Sequence, residues 1–145
     1  MLQGLHPLLS PDLLHVLASM GHGDEVVLVD SNFPAASHAK RLVRLPGAAV
    51  ADALKAVLSV MPLDSFVDQP AFTMQKVGEE AGVPPAVADV NRVLSEHGCG
   101  GAGTLERFAF YERAAAAFAI VATGEARSYG NVLLRKGVVG SRATP

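Results

Sequence analysis

The chain has 145 residues, of which 50% are hydrophobic and 18% charged, a balance too apolar for a disordered chain. Its 12 basic and 14 acidic side chains leave a net charge of -2, so no excess of positive charge favours nucleic acid as a partner. The single cysteine, Cys99, excludes an internal disulfide framework and a zinc site built from several cysteines. The longest apolar stretch, around Ala114–Ala122, is too short to span a bilayer, and we find no signal sequence, so we expect a cytoplasmic protein with no membrane partner.

Caps and hydrophobic periodicity predict strands that alternate with helices. Ser10-Pro11-Asp12 is typical of a helix start, and Gly21 is a suitable terminator. The unbroken apolar centre of Glu25–Asp30 indicates a strand covered on both faces. Further helices are predicted over Phe33–Leu42, Val50–Met61, Pro84–His97 and Tyr111–Phe118. Further strands are predicted over Phe72–Val77, Leu105–Phe110, Ala119–Thr123 and Asn131–Lys136.

This alternation predicts a layered α/β fold with a largely parallel sheet. The short link between Ala119–Thr123 and Asn131–Lys136 permits an antiparallel pair there, so we expect the sheet to be mixed. No linker divides the chain, which predicts a single domain over residues 1–145.

Polar residues fall at the ends of the predicted strands, and ligands of an open α/β sheet bind beyond the carboxyl ends of its strands. His22 lies between two glycines that let the backbone turn and the imidazole project, although a solvent-facing loop histidine fits the same pattern. Asp30 ends a hydrophobic strand, or else caps the following turn. Arg107 interrupts a predicted buried strand and therefore needs a partner or a cavity. Tyr129-Gly130-Asn131 places a phenol and an amide at a turn, where ordinary turn chemistry is the alternative.

Other polar features are less informative. The glycine run from Gly98 to Gly103 follows a helix and precedes a strand, the wrong order for a dinucleotide-binding loop, and it lacks the lysine of a P-loop. We expect the thiol of Cys99 to be inert. We expect Arg135 and Lys136, which are neighbours in the chain, to be solvated. The histidines without metal-ligand spacing are His6, His15, His38 and His97. The remaining candidates suit a small, neutral, polyhydroxylated ligand, without a metal or cofactor.

Five blocks occur in a fixed order in the stretches 1–62 and 105–139. They are Met20-Gly-His-Gly-Asp-Glu25, Asp30-Ser-Asn-Phe-Pro-Ala35, Glu106-Arg-Phe-Ala-Phe-Tyr-Glu-Arg113, Val121-Ala-Thr-Gly-Glu125, and Tyr129-Gly-Asn131 followed by Leu134-Arg-Lys-Gly137. Together they resemble the L-fucose branch of the D-ribose pyranase/L-fucose mutarotase (RbsD/FucU) family. Arg107 and the Phe-Tyr-Glu-Arg block favour L-fucose over ribose within that family.

The resemblance implies a three-layer α/β/α fold with a mixed, largely parallel central sheet, and a homo-oligomer built from closed rings, a decamer in bacterial members. It implies a cofactor-independent isomerase that interconverts the anomers of a monosaccharide, L-fucose. It also implies that one histidine is catalytic and that five residues bind the sugar. The catalytic histidine is His22, and the sugar-binding residues are Asp30, Arg107, Tyr129, Gly130 and Asn131.

Mutarotation opens and recloses a hemiacetal ring, so it needs a proton donor and a proton acceptor but breaks no C–H bond. Histidine suits this work because its reference pKa of about 6.5 lies near neutral pH. We expect His22 to protonate the ring oxygen, and Asp30 to hold a sugar hydroxyl and orient the imidazole. D-ribose pyranase and a non-catalytic sugar-binding module remain alternatives, and an aldose–ketose isomerase ranks last.

Overall fold

The computed structural model describes residues 1–78 and 82–140. Within them, six strands form one sheet in the order β2-β5-β1-β6-β3-β4. The strands are β1 Glu25–Val29, β2 Leu42–Leu45, β3 Ala71–Met74, β4 Gly103–Leu105, β5 Ala119–Thr123 and β6 Val132–Arg135. The helices are α1 Pro11–Ser19, α2 Ala35–His38, α3 Val50–Leu58, α4 Pro85–Glu96 and α5 Arg107–Ala116.

The sheet is mixed, as expected, but the antiparallel pairs are not the predicted ones. β1, β5 and β2 are parallel neighbours, and β3 is parallel to β4. β6 runs antiparallel to both β1 and β3. The expected pairing of β5 with β6 is therefore wrong, because β1 lies between them. The link from β5 to β6 has to pass the carboxyl end of β1, and this brings its residues next to Asp30.

Two hydrophobic clusters cover the two faces of the sheet. Val26 and Leu28 of β1 belong to the cluster that contains the buried residues of α1, α3 and α4. Val27 and Val29 belong to the other, with α2 and α5. Alternate residues of one strand thus pack against different layers, which explains why its sequence is continuously apolar. The three-layer α/β/α expectation is confirmed.

Helix α1 starts as predicted and ends early. The Ser10 hydroxyl accepts a hydrogen bond from the amide of Leu13 at 3.2 Å, and Pro11 is the first helical residue. The helix ends at Ser19, because Met20 is already extended. The Lys136 ammonium donates to the carbonyl oxygens of Leu17 and Met20 at this end. The expectation that Lys136 is simply solvated is therefore wrong, since a helix carboxyl terminus is a favourable place for a cation.

Two predicted elements have the wrong type. The stretch Phe33–Leu42 contains only the short helix α2, and it is followed by strand β2, which was not predicted. Leu42 and Val43 are both apolar, so Leu42–Leu45 lacks the strict alternation of apolar and polar residues that distinguishes a strand from a helix. The stretch Leu105–Phe110 is a strand only at its first residue, because α5 begins at Arg107. Glu106 caps this helix by accepting from the amides of Phe108 and Ala109.

Candidate active site

Four of the predicted site residues line one cavity at the carboxyl end of β1. This cavity, of about 250 Å³, is called the carboxyl-end cavity below. Helix α5 supplies one side of it and the link between β5 and β6 another. Its lining includes Asp30, Arg107, Tyr129 and Asn131, together with Asn32, Phe33, Met74, Tyr111 and Ser128. The structure therefore brings together residues that lie as much as 101 positions apart in the chain.

Asp30 is the buried carboxylate of the cavity. Its Oδ1 accepts a hydrogen bond from the amide of Asn32 at 3.0 Å, and its own amide donates to Oδ1 of Asn131 at 2.9 Å. Burial raises the pKa of Asp30, and hydrogen bonds from three backbone amides and from the Asn131 side chain oppose that rise. A carboxylate with a raised pKa is a stronger proton acceptor than an exposed one, so this position suits a general base.

Tyr129 is held in an uncommon backbone conformation beside this carboxylate. Its φ of 62° lies in the left-handed region, and its hydroxyl oxygen accepts a hydrogen bond from the amide of Val77 at 3.0 Å. The hydroxyl hydrogen can then be donated to a ligand. Gly130 does not line the cavity, although it was predicted to bind the sugar. A Cβ at Gly130 would lie 2.6 Å from Cγ of Glu125, so the glycine allows the turn to close.

An ion-pair network holds the same link from outside, and it was not predicted from the sequence. The buried Glu125 accepts hydrogen bonds from the guanidinium of Arg127 at 3.0 and 3.1 Å, and this pairing lowers the pKa of Glu125. Arg127 also donates to Asp89 of α4 at 2.8 Å. The Glu125 carbonyl accepts from the amide of Ser31, next to Asp30. The network therefore connects the segment after β1 and the link between β5 and β6 to helix α4.

Arg107 reaches the cavity from a helix, not from a buried strand. It is the first residue of α5 and is exposed, and its guanidinium carbon lies 4.9 Å from the ring centre of Phe108. The expectation of an arginine inside a buried strand is wrong. Arg107 lines the carboxyl-end cavity, and its contact with a sugar stays a prediction. A guanidinium stacked on an aromatic ring keeps its N–H groups available for oxygen ligands.

His22 lies at the opposite end of β1 from this cavity. It precedes the strand, whereas Asp30 follows it. Five residues of extended chain span about 17 Å. His22 therefore does not approach Asp30 of its own chain, and Asp30 does not orient its imidazole as expected. The His22 side chain is 46% exposed, and its ring lies 5.4 Å from that of Phe66.

A buried aspartate is the partner of His22. Oδ1 of Asp64 lies 3.1 Å from Nε2 of His22, and Oδ2 accepts from Nε of Arg135 at 2.8 Å. The amide of Phe66, then the side chains of Arg135 and His22, lower the pKa of Asp64 to about 2 against the cost of burial. Arg135 was expected to be solvated, and this is wrong. We call His22, Asp64 and Arg135 the amino-end triad.

Gly23 makes room for this triad. Its φ is +86°, and a Cβ there would lie 3.0 Å from Nη2 of Arg135. The glycine next to His22 is thus needed both for the turn and for the close approach of the guanidinium. The glycine-histidine-glycine motif carried this signal, whereas nothing in the sequence around Asp64 pointed to the histidine.

Over residues 1–78 and 82–140, no group of three or more His, Cys, Asp or Glu side chains is arranged to hold a metal ion. In the same residues, no helix has the length and apolar character needed to cross a bilayer. The absence of a cofactor stays a prediction.

Comparison with known proteins adds independent information. A family model, RbsD / FucU transport protein family, matches residues 3–139. Fucose mutarotase from Homo sapiens is 48% identical over 95% of this chain and 94% of that protein.

Two solved structures have the same fold. The crystal structure of fucose mutarotase from Streptococcus pneumoniae in complex with L-fucose is 42% identical, with a TM-score of 0.91, over 96% of this chain and 100% of that one. The crystal structure of FucU from Bifidobacterium longum is 43% identical, with a TM-score of 0.89, over 95% of this chain and 100% of that one. On the extent of these matches, the chain belongs to the RbsD / FucU family.

Proposed function

We propose that this protein is an L-fucose mutarotase, an isomerase that interconverts the α and β anomers of the free sugar. The observation that carries the proposal is the convergence of Asp30, Arg107, Tyr129 and Asn131 on one cavity. A carboxylate, a guanidinium, a phenol and an amide together offer donors and acceptors to several hydroxyl groups. The relatives named fucose mutarotase, at 42–48% identity over nearly the whole chain, support L-fucose as the sugar.

Ring opening requires two proton transfers and no electron transfer. The anomeric hydroxyl loses its proton, and its O–H electron pair becomes the second bond of the aldehyde carbonyl. The bond between the anomeric carbon and the ring oxygen breaks, and the ring oxygen keeps that electron pair and takes up a proton. Rotation about one C–C bond and reversal of both transfers close the ring on the other face.

Asp30 and His22 suit these transfers. The Asp30 carboxylate accepts the proton of the anomeric hydroxyl, which its raised pKa favours. The protonated imidazole of His22 donates to the ring oxygen. Closure returns both protons, so enzyme and sugar end as they began. Arg107, Tyr129 and Asn131 hold the remaining hydroxyls and stabilise negative charge that develops on oxygen.

His22 and Asp30 of a single chain cannot both reach one sugar, because the length of β1 separates them. We therefore propose that a neighbouring copy supplies His22 to the carboxyl-end cavity. Each end carries an exposed aromatic side chain, Phe66 beside His22 at 76% exposure and Phe108 beside Arg107 at 65%. Contact between unlike ends of identical chains is head-to-tail, and such contacts close into a ring when the rotation from one copy to the next closes. This supports a ring-based homo-oligomer, for which the family resemblance suggests a decamer.

Mixing two inactive variants tests the shared site. His22→Ala keeps an intact cavity, and Asp30→Asn, which lacks the general base, keeps an intact histidine. If each site uses one residue from each of two neighbours, random mixed assemblies regain about a quarter of the sites. Saturation-transfer NMR on equilibrated L-fucose measures the exchange, with D-ribose as the comparison sugar. If the mixtures stay inactive after subunit exchange, the shared site is contradicted. If the wild type never accelerates exchange beyond the rate in buffer, the proposed mutarotase activity is contradicted.

Light scattering at micromolar concentration tests the assembly directly. A monomer of 15.1 kDa with full exchange activity contradicts a shared site.

We further propose that the chain acts as one domain in the cytoplasm. The continuous six-stranded sheet with clusters on both faces supports the first statement. The single thiol of Cys99 is compatible with a reducing compartment. Cell fractionation tests the location.

A further inference from the structure

We infer that Asp64 is a positioning residue for His22, and that it holds the imidazole with its hydrogen on Nε2. Nδ1 is then the nitrogen that exchanges a proton with the sugar. This assignment rests on the proposed function for the identity of the substrate, but its geometric part concerns only the amino-end triad. Asp64 belongs to none of the sequence blocks that carry the family resemblance.

The first step is the chemistry of the contact. Oδ1 of Asp64 lies 3.1 Å from Nε2 of His22. An ionised carboxylate can only accept hydrogen bonds, so Nε2 has to be the donor. In the neutral imidazole, Nδ1 then carries the lone pair. In the imidazolium, Nε2–H stays on Asp64 and Nδ1–H is the proton available for transfer.

The second step is the rigidity of the carboxylate. Asp64 is buried, with its side chain 1% exposed. Its Oδ1 also accepts from the amide of Phe66 at 3.0 Å, and its Oδ2 accepts from Nε of Arg135 at 2.8 Å. The Asp64 amide donates to the Arg135 carbonyl at 3.0 Å, which fixes the backbone of this loop to β6. The carboxylate therefore has one orientation, and it transmits that orientation to the exposed ring of His22.

The third step is the charge around the triad. Arg135 from β6 and His22 from the loop before β1 face the carboxylate directly. Lys136 is engaged by carbonyls of α1, and Asp24 by the amide of Gly21. Asp64 is thus the anion that contacts the imidazole. It stabilises the imidazolium that donates to the ring oxygen, as a buried carboxylate does for a catalytic histidine in general.

The tautomer is measured first on the wild type, labelled with ¹⁵N in its histidines and assigned with His22→Ala. Above the pH at which His22 titrates, Nε2 is expected to give the signal of a protonated nitrogen and Nδ1 that of an unprotonated one. The opposite pattern, or an equal mixture of tautomers, overturns the inference. This readout needs neither turnover nor a variant of Asp64, so it does not depend on the proposed reaction.

The second measurement compares Asp64→Asn with Asp68→Asn. Asp68 is an exposed residue of the same loop, and its substitution removes the same charge without touching His22. For Asp64→Asn we expect exchange to fall by between about 10- and 10⁴-fold, the upper value being the loss caused by removing such a carboxylate from a Ser-His-Asp triad. L-fucose binding should be unchanged, the ¹⁵N pattern should become a mixture, and the pH at which half of the rate is lost should decrease. Asp68→Asn should resemble the wild type.

The outcomes separate the two proposals. If the wild type accelerates exchange and Asp64→Asn does so equally with the same pH profile, the positioning role is wrong and the mutarotase is not. If the wild type shows the Nε2–H form but no acceleration with any sugar, the mutarotase is wrong and the tautomer assignment stands. If Asp64→Asn does not fold, the wild-type spectrum still decides the assignment, and Asp64→Glu tests rescue by a carboxylate of different length.

Discussion

The two ends of strand β1 differ in how they are built. At the carboxyl end, a cavity is lined by the buried Asp30 and Asn131 and by the exposed Arg107, and Asp30 and Asn131 are joined by a hydrogen bond. At the amino end, a buried carboxylate joins an arginine to a histidine that is 46% exposed. The first arrangement is suited to holding a ligand. The second is suited to presenting a proton carrier to something outside the chain.

The difference teaches that neither end is a complete site. The carboxyl-end cavity has acceptors and donors but lacks a group with a reference pKa near neutral pH. The amino-end triad has such a group in His22, whose side chain is 46% exposed. Substitutions at the two ends should therefore have separable effects on rate, binding and stability.

Removal of the proton carrier should have the largest effect. His22→Ala is expected to reduce the exchange rate by about 10²–10⁴-fold, the usual contribution of general acid–base catalysis, with little loss of fold. Saturation-transfer NMR with L-fucose measures the rate. His15→Ala, at an exposed position of α1, is the matched control. Full exchange in His22→Ala at neutral pH would remove His22 from the mechanism.

Removal of the guanidinium should affect binding. Arg107→Ala is expected to weaken L-fucose binding by roughly tenfold to a hundredfold, because hydrogen bonds to a charged group contribute about 1.5–3 kcal/mol. Stability should change little, since Arg107 is exposed at the start of a helix. Calorimetric titration and thermal unfolding measure the two effects, with Arg92→Ala on α4 as the control. Unchanged affinity would show that the arginine does not contact the sugar.

Neutralising the buried carboxylate should stabilise the protein, although it removes the general base. The pKa of Asp30 is raised in the folded state, so its ionisation opposes folding as pH increases through that value. Asp30→Asn is therefore expected to have a higher free energy of unfolding than the wild type at pH 7, and the difference should shrink in acid. Urea denaturation at both pH values measures it, with Asp68→Asn as the reference. A lower stability of Asp30→Asn at pH 7 would contradict this account.

The amino end should show the opposite dependence of stability on pH. The pKa of Asp64 is lowered from its ordinary 3.8 to about 2, so its contribution to stability is present above 3.8 and is lost as pH falls towards 2. The stability difference between the wild type and Asp64→Asn should therefore narrow between pH 5 and pH 2. Urea denaturation across that range measures it. A constant difference would mean that the ionised form of Asp64 is not stabilised by its partners.

Local signals predicted much of the fold and of the carboxyl-end cavity. The Ser10-Pro11 start of α1 and the apolar strand β1 follow from caps and periodicity, which depend on neighbours within one element. The exposed start of α5 was missed because glutamate, the cap at Glu106, is not among the usual N-cap residues. Strand β2 was missed because its residues, Leu42–Leu45, do not alternate strictly between apolar and polar.

By itself, the sequence determined the alternation of strands and helices, the continuous apolar core of β1, and the set of polar residues that the family resemblance assigns to the site. Only the tertiary structure decided that β1 lies between β5 and β6, so that Asn131 reaches Asp30 while His22 remains at the far end. It alone joined Asp64 to residues 42 and 71 positions away. The physical reason is that periodicity and capping are local, whereas a buried carboxylate acquires its partners from the order of strands in the sheet.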